Sequence, residues 1–148
     1  MATPTKGFEF AYSHDGTKPW VRTDVPTTAS VTYRKGDLVL LVAGAASLGT
    51  AAIDDTTPII GICAEAATVT SSTVPGTVAV MIPTPAHVFR VQYTGTPNAA
   101  AIMGGTIDLE NCATVDASDV TAGKLALDRN LDTTNAWAYV RFKSAWSY

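Results

Sequence analysis

Tyr33-Arg34-Lys35-Gly36-Asp37-Leu38-Val39-Leu40-Leu41-Val42-Ala43 decides the fold class. Gly36 and Asp37 are turn residues, and the run from Leu38 to Ala43 is then apolar on both faces. A surface helix would space its apolar residues by three and four, and a half-buried strand would alternate. A short, uninterrupted apolar run behind a turn predicts a strand covered on both sides, in the middle of a small barrel.

The neighbouring sequence repeats that pattern of turn and strand. Asp54-Asp55 and Pro58 precede the run Ile59 to Ala66, and Pro75-Gly76 introduces Thr77 to Ile82. Pro83 and Pro85 end that run. His87 to Tyr93 alternates, with Phe89, Val91 and Tyr93 on one face and Val88, Arg90 and Gln92 on the other. Gly95 to Gly105 is a loop whose Pro97-Asn98-Ala99-Ala100-Ala101 centre predicts one helical turn. Ile107 and Leu109 point in against Asp108 and Glu110, Leu125 and Leu127 repeat this after Gly123, and Ala136 to Phe142 closes the domain. Short strands at turn spacing, with no long amphipathic window, predict an all-β domain over residues 30–148, a small β-barrel or sandwich.

Residues 1–29 read differently. Pro4, Pro19 and Pro26 interrupt a threonine-rich stretch with little continuous hydrophobicity, which predicts an extended N-terminal arm. Phe8, Phe10 and Tyr12 alternate with Glu9 and Ala11, placing three rings on one side of a strand. Asp15-Gly16 at the centre of the next turn predicts a hairpin that folds this strand back on Trp20-Val21-Arg22.

Composition sets limits on function. A chain of 148 residues buries about 68–70% of its unfolded surface, enough for a core without staples. Ten Lys and Arg against 13 Asp and Glu, a net charge of −3 and no run of like charges argue against a nucleic-acid footprint. No apolar stretch is long enough to span a bilayer and the first residues lack a signal-peptide core, so the expectation is a chain made in the cytoplasm with no membrane partner. Cys63 and Cys112 have no CxxC or His-rich neighbourhood, which predicts two reduced, partly buried thiols, with a disulfide as the alternative.

A search for chemistry returns little. His14 and His87 stand in a turn and at a strand start, without a local metal or relay partner. No GxSxG, P-loop or HExxH is present. Asp54-Asp55 and Asp128-Arg129-Asn130-Leu131-Asp132 could hold a hard cation, but neither has EF-hand spacing, and Asp and Asn dominate solvated turns for backbone reasons. Gly104-Gly105 reads as a tight turn. No cofactor is expected. The last strand is more informative: with Ala138, Val140 and Phe142 inward, Trp137, Tyr139, Arg141 and Lys143 share the outward face, and Trp146 and Tyr148 follow. Aromatics beside cations are enriched at protein interfaces; the competing reading is that a second sheet or the N-terminal arm covers them.

Tyr33-Arg34-Lys35-Gly36-Asp37-Leu38-Val39, then Pro58-Ile59-Ile60-Gly61-Ile62-Cys63-Ala64-Glu65-Ala66, then Val78-Ala79-Val80-Met81-Ile82, resembles in pattern and order the head decoration, or cement, proteins of tailed bacteriophages. The resemblance covers roughly residues 31–143. It implies a β-barrel or β-tulip-like domain and a virion protein on the capsid exterior that clamps neighbouring major capsid protein subunits without catalysis, many such proteins being homo-oligomers, with a trimer favoured, and some acting as dimers or monomers. Under it, Phe8, Phe10, Tyr12 and Trp20 on the arm, with Trp137, Tyr139, Arg141 and Trp146, are the expected contact residues. The arm would be the principal anchor, removable without unfolding the domain. Two alternatives remain beside this one. A phage fibre or carbohydrate-binding β module would use Trp137, Tyr139 and Trp146 as platforms; a trimeric nucleotide hydrolase would need acid and glycine motifs that the sequence lacks.

Overall fold

The computed structural model describes residues 7–28, 30–42, 44–50, 59–68, 76–120 and 125–142. Among them are thirteen strands and no helix: β1 (Glu9–Ser13), β2 (Trp20–Pro26), β3 (Thr32–Tyr33), β4 (Leu38–Val42), β5 (Ala45–Leu48), β6 (Ile59–Cys63), β7 (Ala67–Thr68), β8 (Thr77–Ile82), β9 (His87–Thr94), β10 (Thr106–Asn111), β11 (Thr114–Asp116), β12 (Leu125–Leu127) and β13 (Trp137–Phe142). The first sheet runs β1-β9-β11-β10-β12-β13, and β13 pairs back onto β9, so five of its strands close a barrel. β1 lies along the first half of β9, ahead of the residues that pair with β11. The second sheet runs β2-β8-β6-β4-β5, and a bridge from Thr27 to Ala46 ties the end of β2 back towards β5. β3 and β7 form a separate pair. The all-β, barrel-and-sheet architecture expected from the strand pattern is therefore present.

The double-sided apolarity of β4 has a direct cause. Leu38 and Leu40 share a core with the barrel residues Phe89, Val91, Ile107, Leu109, Leu125, Val140 and Phe142. Val39 faces a second core with Val25, Tyr33, Ile60, Cys63, Val78 and Val80. β6 divides in the same way, with Ile59 and Ile62 in the first core and Ile60 and Cys63 in the second. Each fully buried side chain of this size contributes roughly 1.5–3 kcal/mol. Gly61, at the centre of β6, passes so close to β8 that a Cβ there would sit 1.8 Å from the Met81 carbonyl oxygen.

The turn at Arg34–Asp37 holds the two sheets together. Asp37 N–H donates to the Arg34 carbonyl at 3.0 Å, and the Asp37 carboxylate accepts from Arg34 N–H at 2.9 Å. The Gly36 carbonyl accepts from Phe8 N–H, Gly36 N–H donates to the Cys63 carbonyl, and Leu38 N–H donates to the Cys112 carbonyl. One turn thus binds the start of β1, the end of β6 and the β10–β11 connection.

Several expectations need correction. The hairpin between β1 and β2 does not form: β1 pairs with β9 and β2 with β8, in different sheets. The Asp15-Gly16 turn connects sheets instead, because each strand finds a longer buried partner than the other could offer. From residue 7 the extended segment is laid into the framework, with Phe8 2% exposed. Removing residues 2–22 would strip β1 from the first sheet and empty the place of Phe8, so this part of the arm is not a removable anchor. Nor do Phe8, Phe10 and Tyr12 share a face. The register slips between Phe10 and Tyr12, where two steps along β1 answer one along β9; a bulge of this kind turns the next side chain over. Asn98–Ala101 makes a single turn closed by Ala101 N–H to the Asn98 carbonyl at 2.9 Å. Asp108, expected to face out, is buried, and its N–H donates to the Asp119 carbonyl.

Candidate functional site

The bulge in β1 has a constructive effect: it delivers Tyr12 to the outer face of the barrel. β13 keeps the alternation expected of it, with Ala138, Val140 and Phe142 buried and Trp137, Tyr139 and Arg141 half-buried on the outside. Tyr139 stands opposite Arg90, and Arg90 opposite Glu9, across three neighbouring strands. Trp137 stands opposite Gln92. The turn after β12 adds Asp128 and Arg129, because Asp128 N–H donates to the Tyr139 carbonyl and fixes that turn against β13.

Two cation–aromatic groups result. The Arg90 guanidinium lies 4.5 Å from the centre of the Trp137 ring and donates to Glu9 Oε2 from Nε at 3.0 Å and from its terminal nitrogen at 2.9 Å. The Arg129 guanidinium lies 5.0 Å from the Tyr12 ring and 4.2 Å from the Tyr139 ring, and the two rings are 6.4 Å apart. Arg129 Nε also donates to the Tyr12 hydroxyl at 3.3 Å. Such contacts contribute about 0.5–1 kcal/mol each at exposed positions. Among the described residues no carboxylate lies within ion-pair distance of Arg129.

Asp128 anchors the other side of the group. Its carboxylate accepts from the Tyr12 hydroxyl, bonds His14 Nε2 at 2.7 Å and lies 3.8 Å from Arg141 Nε. Burial opposes its charge, but the hydrogen bonds from Tyr12 and His14 and the charges of His14 and Arg141 outweigh that and hold its pKa below the ordinary carboxylate value. Burial, then the Asp128 hydrogen bond, push the Tyr12 phenol up. Arg90 and Arg129 are held charged by Glu9 and by Tyr12, respectively.

No family model, curated protein or solved structure matches this chain. The geometry therefore stands as the guide to what this face does.

Of the expected contact residues, the structure brings Tyr12, Trp137, Tyr139 and Arg141 onto one face. Phe8 is a core residue. Phe10 is half-buried, with its ring edge-on to Phe89 at 5.8 Å and His87 at 5.9 Å, and it lines a shallow hollow beside Tyr12, Arg90, Arg129 and Tyr139. Trp20 is 62% exposed, but on β2 of the other sheet. Trp146 lies outside the described residues. In the described part of the arm, β1 lies in the same sheet as β13, across β9 from it, and sends the Tyr12 ring to within 6.4 Å of the Tyr139 ring. Glu9, His14, Arg90, Asp128 and Arg129 were not among the expected contacts. Arg90 sat on the correct face of β9, and its place opposite Tyr139 was the one available signal.

The remaining candidates are structural. His87 is buried, its Nδ1 accepting from Thr84 N–H at 2.9 Å and its Nε2 bonded to the Thr17 hydroxyl at 2.8 Å. Cys63 and Cys112 are free thiols, both pushed up to about 11 by burial first and by nearby Asp37. No group of three His, Cys, Asp or Glu side chains that could hold a metal occurs among the described residues. Asp54-Asp55 lies outside them, and Asp132 is engaged with Thr134 and Asn135 of its own turn.

Proposed function

We propose that this chain is a structural virion protein that binds the outside of an assembled phage capsid and clamps neighbouring major capsid subunits. The observation that carries the reading is the outer barrel face on which Tyr12, Tyr139 and Trp137 alternate with Arg129, Arg90 and Arg141. Trp, Tyr and Arg dominate the few interface residues that supply most binding energy. Here they are held in place before any partner arrives, which lowers the ordering cost of association. Arg129, charged and with no carboxylate within ion-pair distance among the described residues, selects an acidic spot on the shell. The likeness of residues 31–143 to head decoration proteins points the same way.

A clamp of this kind works by repetition. Each copy adds a contact of about 1,600 Å² across a seam between subunits, and hundreds of copies resist the outward stress of packaged DNA. The protein would be made in the host cytoplasm and join the head from outside as a homo-oligomer, a trimer in the favoured form and a dimer in the other. Co-sedimentation with shells that lack the protein, with its solution mass from light scattering, tests both parts. Saturable binding at a fixed ratio to capsid subunits is expected; no binding to expanded shells would overturn the proposal.

A further inference from the structure

Beside the aromatic face, the outer end of β9 and the turn before β13 enclose a cleft lined by Gln92, Pro97, Thr133, Thr134, Asn135 and Trp137, with Gly95 at its rim. Among the described residues no charged side chain lines it. Hydroxyls, amides and one indole make up its polar and flat surfaces. Among the described residues, the Gln92 amide and the Thr133 and Thr134 hydroxyls have no hydrogen-bond partner.

The cleft is also built rather than incidental. Asp132 takes Thr134 N–H at 3.0 Å, Asn135 N–H at 3.1 Å and the Asn135 side-chain amide at 3.1 Å. That last bond leaves the Asn135 Oδ1 as a fixed acceptor. Ala136 has φ +58°, a left-handed conformation rare for a residue with a Cβ, and its carbonyl accepts from Tyr93 N–H at 3.0 Å. Backbone strain of this kind persists where surrounding structure enforces it, and it gathers at binding sites. Arg90 steadies the Trp137 ring from its own side.

We infer that this cleft binds an uncharged sugar. A phosphate or carboxylate would find no counter-charge among these side chains, and a purely apolar ligand would leave the amides and hydroxyls desolvated. A neutral saccharide has the matching chemistry: hydroxyls for Gln92, Thr133, Thr134 and Asn135, and C–H faces for Trp137. The inference is independent of the capsid reading; the cleft adjoins the capsid-contact face, and Trp137 borders both.

The test is a titration of the whole protein followed by the amide and indole resonances. The probes are the methyl glycosides of glucose, galactose and mannose and N-acetylglucosamine, each to about 50 mM, since a ligand of this size binds in the millimolar range. Glucuronate and glucose 6-phosphate form the charged arm, and trisaccharides of the same units show whether a glycan chain is preferred. At least one neutral sugar should saturate and shift the Trp137 indole and Gln92 amide signals. Gln92→Ala and Asn135→Ala should each weaken it about three- to ten-fold with the fold's spectrum intact. No saturable shift with any neutral sugar, tighter binding of the charged pair, or shifts confined to residues outside the cleft would each overturn the inference.

Discussion

The guanidinium of Arg129 rests 4.2 Å from the centre of the Tyr139 ring, on a side chain that comes from the turn before β13 rather than from β13 itself. Tyr12, from the other end of the chain, closes the arrangement at 5.0 Å. Replacing Arg129 with Ala or Lys should leave the unfolding midpoint nearly unchanged, because the group is exposed. Lys keeps the charge but loses the planar fork and its stacking. Both variants should therefore lose about ten-fold or more in co-sedimentation with shells. Shell binding by Arg129→Lys equal to that of the parent protein would exclude this face as the guanidinium-dependent contact.

Gly61 offers the sharpest stability test. A Cβ at 1.8 Å from the Met81 carbonyl oxygen cannot be accommodated without separating β6 from β8. Gly61→Ala should cost more than about 4 kcal/mol, the range of severe core disruptions. Gly16 has φ +78° but open space around it, so Gly16→Ala should cost only about 1–2 kcal/mol. Urea midpoints of the two variants provide the comparison.

The Asp128 carboxylate should make stability depend on pH. Its folded pKa lies below the unfolded value of about 3.9, so its contribution is fully present above that value and is lost as pH falls through the folded one. Asp15, Asp24 and Asp132 are lowered too, by Thr17, Arg22 and Asn135 respectively, so the informative quantity is the difference between the parent protein and Asp128→Asn. That variant should be about 1–3 kcal/mol less stable at neutral pH, and the gap should narrow as the solution is acidified below pH ~4. A gap that does not change with pH would mean that the carboxylate charge is irrelevant.

The two thiols should be sluggish. With pKa values about 11, roughly one thiol in a thousand is ionised at pH 8. Alkylation by iodoacetamide should be slow in the folded protein and should accelerate roughly two-hundred-fold in denaturant at pH 8, where the ordinary thiol pKa of about 8.5 returns. Rapid native-state labelling of Cys63 would contradict its burial.

Local pattern revealed the strands, and it failed where a neighbour was far away in sequence. β4 was legible because apolar residues on both faces have few other uses, and β13 because its alternation is unbroken. The single-face reading of Phe8, Phe10 and Tyr12 failed because a bulge is a property of the β1–β9 pair and leaves no mark in β1 alone. The hairpin reading failed for a related cause: Asp15-Gly16 is a good local turn, but β8 and β9 offer each flanking strand a buried partner. The contact face was half legible. Trp137, Tyr139 and Arg141 follow from one strand's alternation; His14, Arg90, Asp128 and Arg129 come from three other segments, and only the barrel's closure assembles them.

That closure also governs how the molecule can be born. Glu9 and Arg90 bond across 81 positions, and β9 meets its other flank only when Trp137–Phe142 arrives. A chain emerging from the ribosome therefore carries Phe10 uncovered at least until His87 and Phe89 of β9 have been made. Many long-range pairings of this kind fold slowly and expose sticky intermediates. A premature stop before β13 would leave an open sheet with two unsatisfied edges, on β9 and β12, rather than a smaller working domain.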